Sequence, residues 1–186
     1  MSKTRLEAFN DAVIAIIMTI LVLELKPVTD LSWHGLWDIR TELLSYLFSF
    51  FLMAVTWNNH HHMFQVIGKI NGAILWANTN LLLWLSLFPF ATTIVDSHWM
   101  SPFAEQLYVL LYFLYNIAWL ILRLLLVKQN PKSKQILGHK DLITCGITIM
   151  IFGLTFLYPP LGVIGCFLNT LQWVIPYRKV ERKFNH

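Results

Sequence analysis

Apolar stretches of roughly membrane-crossing length recur along this chain, and most are closed by prolines or charges. A helix needs about 20 mostly apolar residues to cross the hydrocarbon core of a bilayer. Six segments are read on that basis. They run over about 6–25, stopped by Lys26-Pro27; 39–57; 70–90, ahead of Ala91-Thr92-Thr93; 103–127; 141–158, turned by Pro159-Pro160; and 161–175, closed by Pro176. No soluble domain fits between them. The expected fold is all-α, a polytopic membrane protein with six transmembrane helices, forming a single domain over 1–186.

Composition agrees on the solvent. With 56% hydrophobic and 13% charged residues, the chain has too little polar side chain to cover a water-soluble globule of its size. Its net charge of +4 comes from bases placed between the apolar segments rather than on one exposed stripe, which argues against nucleic acid as a partner. Cys145 and Cys166 lie inside apolar segments without a C-x-x-C or spaced framework, so neither a disulfide scaffold nor zinc is expected. A cleaved signal peptide competes for the first segment, since Lys3 and Arg5 precede it. Leu23-Glu24-Leu25-Lys26-Pro27 offers no small-residue cleavage site, however, and Asp11 interrupts the basic-then-apolar order.

Orientation follows from the bases. With the N-terminus inside, the inner segments carry Lys3, Arg5, Lys69, Lys128, Lys132, Lys134, Lys140, Arg178, Lys179, Arg182 and Lys183, against Lys26 and Arg40 outside. Both termini are therefore expected in the cytoplasm. The loop from Lys128 to Lys140 would then sit against anionic head groups, or be an ordinary solvated inner loop. Trp33, Trp37, Trp99 and Tyr108 fit an interfacial aromatic belt, and Arg123 is expected to snorkel to the inner surface.

The first segment carries the sharpest pattern. Ile16, Thr19, Ile20 and Leu23 fall at i, i+3, i+4 and i+7, one stripe on a helix. This stripe is the candidate wall of an ion pore; a packing ridge is the competing reading. Asp11 lies about 140° round the helix from Ile16 and needs partners on neighbouring helices to offset the cost of a carboxylate at the membrane edge. Glu24, within about 40° of the stripe, marks an outer mouth or a solvated helix end beside Lys26.

Candidate partners for Asp11 come from Trp57, His60 and His61 at the inner end of the second segment. Three adjacent histidines, His60 to His62, also raise metal binding, but consecutive helical residues diverge by about 100° and cannot close on one ion. Asn78, Asn80, Asn116, Asn169, Thr170 and Gln172 are expected to bond between helices. Gly153 and Gly162 are expected to permit close packing or turns.

Arg5-x-x-x-Phe9-Asn10-Asp11 resembles the Arg-x-x-x-Phe-Ser-Asp signature of the transmembrane protein 175 family, the lysosomal and prokaryotic potassium channels. Trp57-x-x-His60-His61-x-x-Phe64 is similar to that family's second conserved stretch, and Asn80 to Pro89 to its third helix. Asn10 stands where the family has Ser, which puts any contact needing a hydroxyl in doubt. The resemblance implies a single-repeat, prokaryotic-type channel of the cell membrane, a homotetramer with the first helix of each subunit lining a central pore. By position, it makes Ile16 the constriction and Thr19 the residue of cation preference, with Ile20 and Leu23 as further apolar rings. Potassium is then the conducted ion, without a cofactor.

No Thr-Val-Gly-Tyr-Gly loop occurs, so stacked carbonyls cannot select the ion. A ring of Ile16 side chains would instead make ions shed water, a step easier for potassium than for sodium, and Thr19 hydroxyls would replace some of it. The alternative function is a proton- or metal-dependent multipass carrier, or a membrane enzyme, using Asp11 with the His60–His62 cluster. A carrier usually shows internal repeats and broken helices, and an enzyme a convergent acid/base cluster. Neither is visible in the sequence.

Overall fold

The structure is a computed structural model that describes residues 2–174. Ile175 and Pro176, taken as the end of the sixth segment, and the basic residues Arg178, Lys179, Arg182 and Lys183 lie outside the described residues.

The described chain is helical, with elements α1 (Lys3–Leu23), α2 (Trp33–Asp38), α3 (Arg40–Gln65), α4 (Gly72–Ser86), α5 (Phe88–Ser97), α6 (Pro102–Gln129), α7 (Lys140–Leu154) and α8 (Leu161–Leu171), and a 3-10 turn over Pro131–Ile136. Polar side chains before the apolar runs start several of them. Ser2 accepts from the Arg5 amide at 3.3 Å, Asn71 from Ile74 at 3.0 Å and Ser101 from Ala104 at 3.5 Å, each satisfying an amide that has no partner within its helix.

The six expected segments appear as six rods with shifted ends. The second runs on to Gln65, which puts His60, His61 and His62 inside α3. The third continues past Phe90 to Ser97 but breaks at Leu87. Pro89 lacks the N–H that would bond back to Leu85, so α4 and α5 meet at a kink. α7 ends at Leu154, short of Tyr158. Pro159 disfavours helical backbone at Tyr158, and the chain turns through Thr155–Pro160 into α8.

Lys3–Leu23, Gly72–Ser97 and Pro102–Gln129 are long and apolar enough to cross a membrane. At 1.5 Å per residue, the 15-residue α7 and 11-residue α8 extend only about 22 and 16 Å, less than the hydrocarbon thickness of about 30 Å.

α6 is the central post, packed by α4, α5, α7 and α8, while α3 joins α1, α5 and α8. The face that α3 turns inward is polar: Ser45, Ser49, Thr56 and His60 are all buried. Polar groups hidden from hydrocarbon must be bonded inside, and these are. Ser45 donates to Asp96, Ser49 bonds Thr92 at 2.7 Å and Tyr108 at 2.9 Å, and Thr56 bonds Tyr115 at 2.8 Å. Tyr108 is thus a core residue rather than part of the aromatic belt. Trp33 and Trp37 are exposed near the loop preceding α3.

Arg123 does not reach for the surface. It is buried, bonded to Asp141 at 2.8 Å, and its guanidinium lies 5.3 Å from the centre of the Trp173 ring. A carboxylate within reach makes an internal pair preferable to stretching toward water. Asn116 bonds the Tyr112 carbonyl of its own helix instead of a neighbour. Asn169, Thr170 and Gln172 do bond between helices, to Thr144 and Thr148, to Tyr112, and to Thr144 respectively. Gly162 is a close-packing position, since a Cβ there would meet Glu105 Oε2 at 2.5 Å; Gly153 has open space around it.

Candidate functional site

α1 sits at the rim of this bundle and shows it two different faces. Leu6, Asn10, Ile14, Ile17 and Leu21 are buried against α3, α4 and α5. Ile16, Ile20 and Leu23 turn the other way, 57%, 37% and 79% exposed. Arg5, Phe9 and Thr19 are exposed as well, so one outward stripe runs the length of the helix from Arg5 to Leu23. Among the described residues Ile16 and Leu23 are left largely uncovered and Ile20 partly so.

Thr19 is the one polar member of the stripe's apolar half. Its hydroxyl donates to the Ile16 carbonyl at 2.7 Å. The hydrogen is thereby committed to the helix, and the oxygen lone pairs are left as acceptors facing outward. At the end of the stripe, exposed Glu24 accepts from Thr93 on α5 at 3.2 Å. The same Thr93 hydroxyl also reaches the Pro89 carbonyl of its own helix at 3.0 Å, so its one hydrogen is shared and the exposed carboxylate is only loosely tied to α5.

The polar head of α1 is divided between two environments. Asp11, half-buried on the flank, accepts from the Trp57 indole at 2.9 Å. His60 is not its hydrogen-bond partner: the imidazole is buried, bonded to Asn78 at 3.0 Å and stacked on Phe64. His61 is exposed, stacks with Trp57 and bonds Gln65 at 2.8 Å, and half-buried His62 touches its edge. The Arg5 guanidinium has no partner among the described residues. Asn10 is fully buried on the core face, and neither of its side-chain polar atoms, nor Nδ2 of Asn78, is hydrogen-bonded among the described residues. No group of three His, Cys, Asp or Glu suited to a metal occurs among the described residues.

Three carboxylates escaped the sequence reading because each lies near a segment end and has no motif around it. Asp96 meets Ser45, Asp141 meets Arg123, and buried Glu105 accepts from the Val163 amide at the start of α8 at 2.8 Å. For Glu105 only the later Pro159-Pro160 turn, which starts a helix with free amides, hinted at a partner.

Comparison with known proteins places this arrangement. The family model for the endosomal/lysosomal potassium channel TMEM175 matches residues 5–89. A potassium channel of a Chryseobacterium species is 39% identical over 98% of this chain and 97% of its own. The endosomal/lysosomal proton channel TMEM175 of Mus musculus is 28% identical over 50% of this chain and 20% of its own. Among solved structures, the crystal structure of a lysosomal potassium-selective channel TMEM175 homolog from Chamaesiphon minutus has a TM-score of 0.72 at 25% identity, covering 92% of this chain and 95% of that one. These relatives are channels and not enzymes. The signature around Asp11, the six-rod fold and a bacterial relative matched over nearly its whole length give one answer: this chain belongs to the TMEM175 channel family.

Proposed function

We propose that this protein is a potassium-permeable cation channel of the bacterial plasma membrane, formed by four copies whose α1 helices surround one axis. The observation that carries the reading is the outward stripe. A helix that buries Ile17 and Leu21 while leaving Ile16, Ile20 and Leu23 exposed among the described residues offers that face to a second partner, which this reading places outside the subunit. The family resemblance supplies that partner as the same face of three other copies.

In this arrangement the Ile16 ring is the constriction. Branched aliphatic side chains offer an ion no ligand, so the ring closes by expelling water and passes ions only when wide enough for partly hydrated ones. Thr19, three residues further on, presents four hydroxyl oxygens whose hydrogens are already bonded to Ile16 carbonyls; they stand in for lost water. Ile20 and Leu23 form further apolar rings, and Glu24 raises cation concentration at the mouth. Selectivity is modest, because exposed hydroxyls hold an ion less rigidly than stacked carbonyls. The basic residues put both termini in the cytoplasm, and the domain is the whole chain, 1–186.

Reconstitution in planar bilayers with potassium on one side and sodium on the other tests the function. A reversal potential favouring potassium is expected. Absence of any cation current from protein that retains its fold and assembly would overturn the reading.

A further inference from the structure

Two chain reversals share one end of the bundle, the loop 66–71 between α3 and α4 and the 3-10 turn after α6, and one side chain joins them. Asn130 Oδ1 accepts from the Gly68 amide at 3.2 Å and the Lys69 amide at 2.9 Å, while its Nδ2 donates to the Lys69 carbonyl at 2.8 Å. Buried Ser133 donates to the Val66 carbonyl at 2.8 Å, and Ile67 and Ile136 anchor the two segments in the core. The turn is therefore folded back onto the base of the bundle instead of reaching into water.

This clasp sets Lys69 beside the segment that carries Lys128, Lys132 and Lys134. All four are exposed, and none of their ammonium groups has an ion-pair or hydrogen-bond partner among the described residues. The described acids at this end of the bundle are engaged elsewhere: Glu7 by Lys3 at 4.0 Å, Asp11 by Trp57 and Asp141 by Arg123. Residues 175–186 hold four bases against Glu181, so they bring no excess of negative charge. α6, with 28 residues, extends about 42 Å against a hydrocarbon thickness of about 30 Å, which carries its last turn and Lys128 to head-group depth.

We propose that Lys69, Lys128, Lys132 and Lys134 form a platform that docks on the anionic head groups of the adjoining leaflet. Four unpaired cations with no acid among them are complementary to phosphodiesters that carry a net negative charge, and basic segments at a membrane surface are attracted by such lipids. The clasp through Asn130 and Ser133 keeps the cations at the bilayer surface, which separates a head-group contact from an ordinary solvated loop. The inference rests on the chain spanning a membrane. It does not depend on α1 lining a pore.

The full chain, reconstituted in vesicles of equal phosphatidylglycerol and phosphatidylcholine and extracted in mild detergent, is examined by native mass spectrometry for retained lipid. Phosphatidylglycerol is expected to predominate. Lys132→Gln should lower that preference about fivefold, the contribution of one basic side chain near an anionic surface, and adding Lys69→Gln and Lys134→Gln should lower it further. Lys132→Arg should preserve it. Lys26→Gln, which removes one charge at the opposite end of the bundle, should leave it unchanged. Equal retention of the two lipids by the parent, an unchanged preference in folded Lys132→Gln, or a loss in Lys26→Gln equal to that in Lys132→Gln would overturn the proposal. So would displacement of the retained phosphatidylglycerol by inorganic phosphate at constant ionic strength, which would assign the platform to a soluble anion.

Discussion

The Trp57 indole donates to the Asp11 carboxylate at 2.9 Å, tying the head of α1 to a residue of α3 that is 46 positions further along the chain. The bond acts with the buried face of Leu6, Asn10, Ile14, Ile17 and Leu21 in setting how α1 is rotated against its own subunit, and that rotation decides which residues face outward. Trp57→Phe keeps the ring and removes the donor. It should lower stability by roughly 1–2 kcal/mol, a charge-assisted bond discounted for its partial exposure, with a matching loss of oligomer in size-exclusion chromatography. Asp11→Ala should have a similar effect. Parent-like melting and assembly in both variants would show that this contact does not organise α1.

Arg123→Met should be the more damaging change, because it leaves Asp141 buried without its cation. About 3–5 kcal/mol of destabilisation is expected, read as a loss of folded protein on heating in detergent. Arg123→Met combined with Asp141→Leu should recover most of it. A double variant no more stable than the single one would mean that the pair is not the source of the loss.

Much of this was legible in the sequence, and what was not has a common cause. Period and length gave the rods, and the spacing of Ile16, Thr19, Ile20 and Leu23 gave the outward face of α1. Asp11 in a membrane helix signalled a need for a partner, and Trp57 supplied it. Long-range pairing among polar residues was the hidden part. Arg123 read as a snorkelling base because nothing in the sequence places Asp141 beside it. Tyr108 read as an interfacial ring because Ser49, 59 positions away, belongs to another segment. The kink at Leu87 follows from Pro89, which lies inside an apolar run long enough to pass for one straight helix.

Asn10 makes a third prediction. Its amide is buried with no hydrogen-bond partner among the described residues, and such a group costs about 1–3 kcal/mol. Asn10→Ser, a smaller side chain able to bond its own helix backbone, should therefore leave stability equal or higher. A clear drop in melting temperature would reveal a partner for the amide in the assembled protein.

For Thr19 the prediction concerns the ion. Thr19→Val keeps the shape and removes the oxygen, so the potassium-to-sodium permeability ratio should fall toward unity while the oligomer persists. A reversal potential identical to the parent's would dismiss the hydroxyl as a source of selectivity.

The most direct test asks what touches Ile16. In channels carrying Ile16→Cys, a charged, membrane-impermeant thiol reagent added in water should react and abolish most of the current, while Ile17→Cys, on the buried face, and the parent with its native Cys145 and Cys166 should be unaffected. A conducting Ile16→Cys channel whose current is untouched by the reagent would place that side chain against lipid or protein, and the pore would have to lie elsewhere.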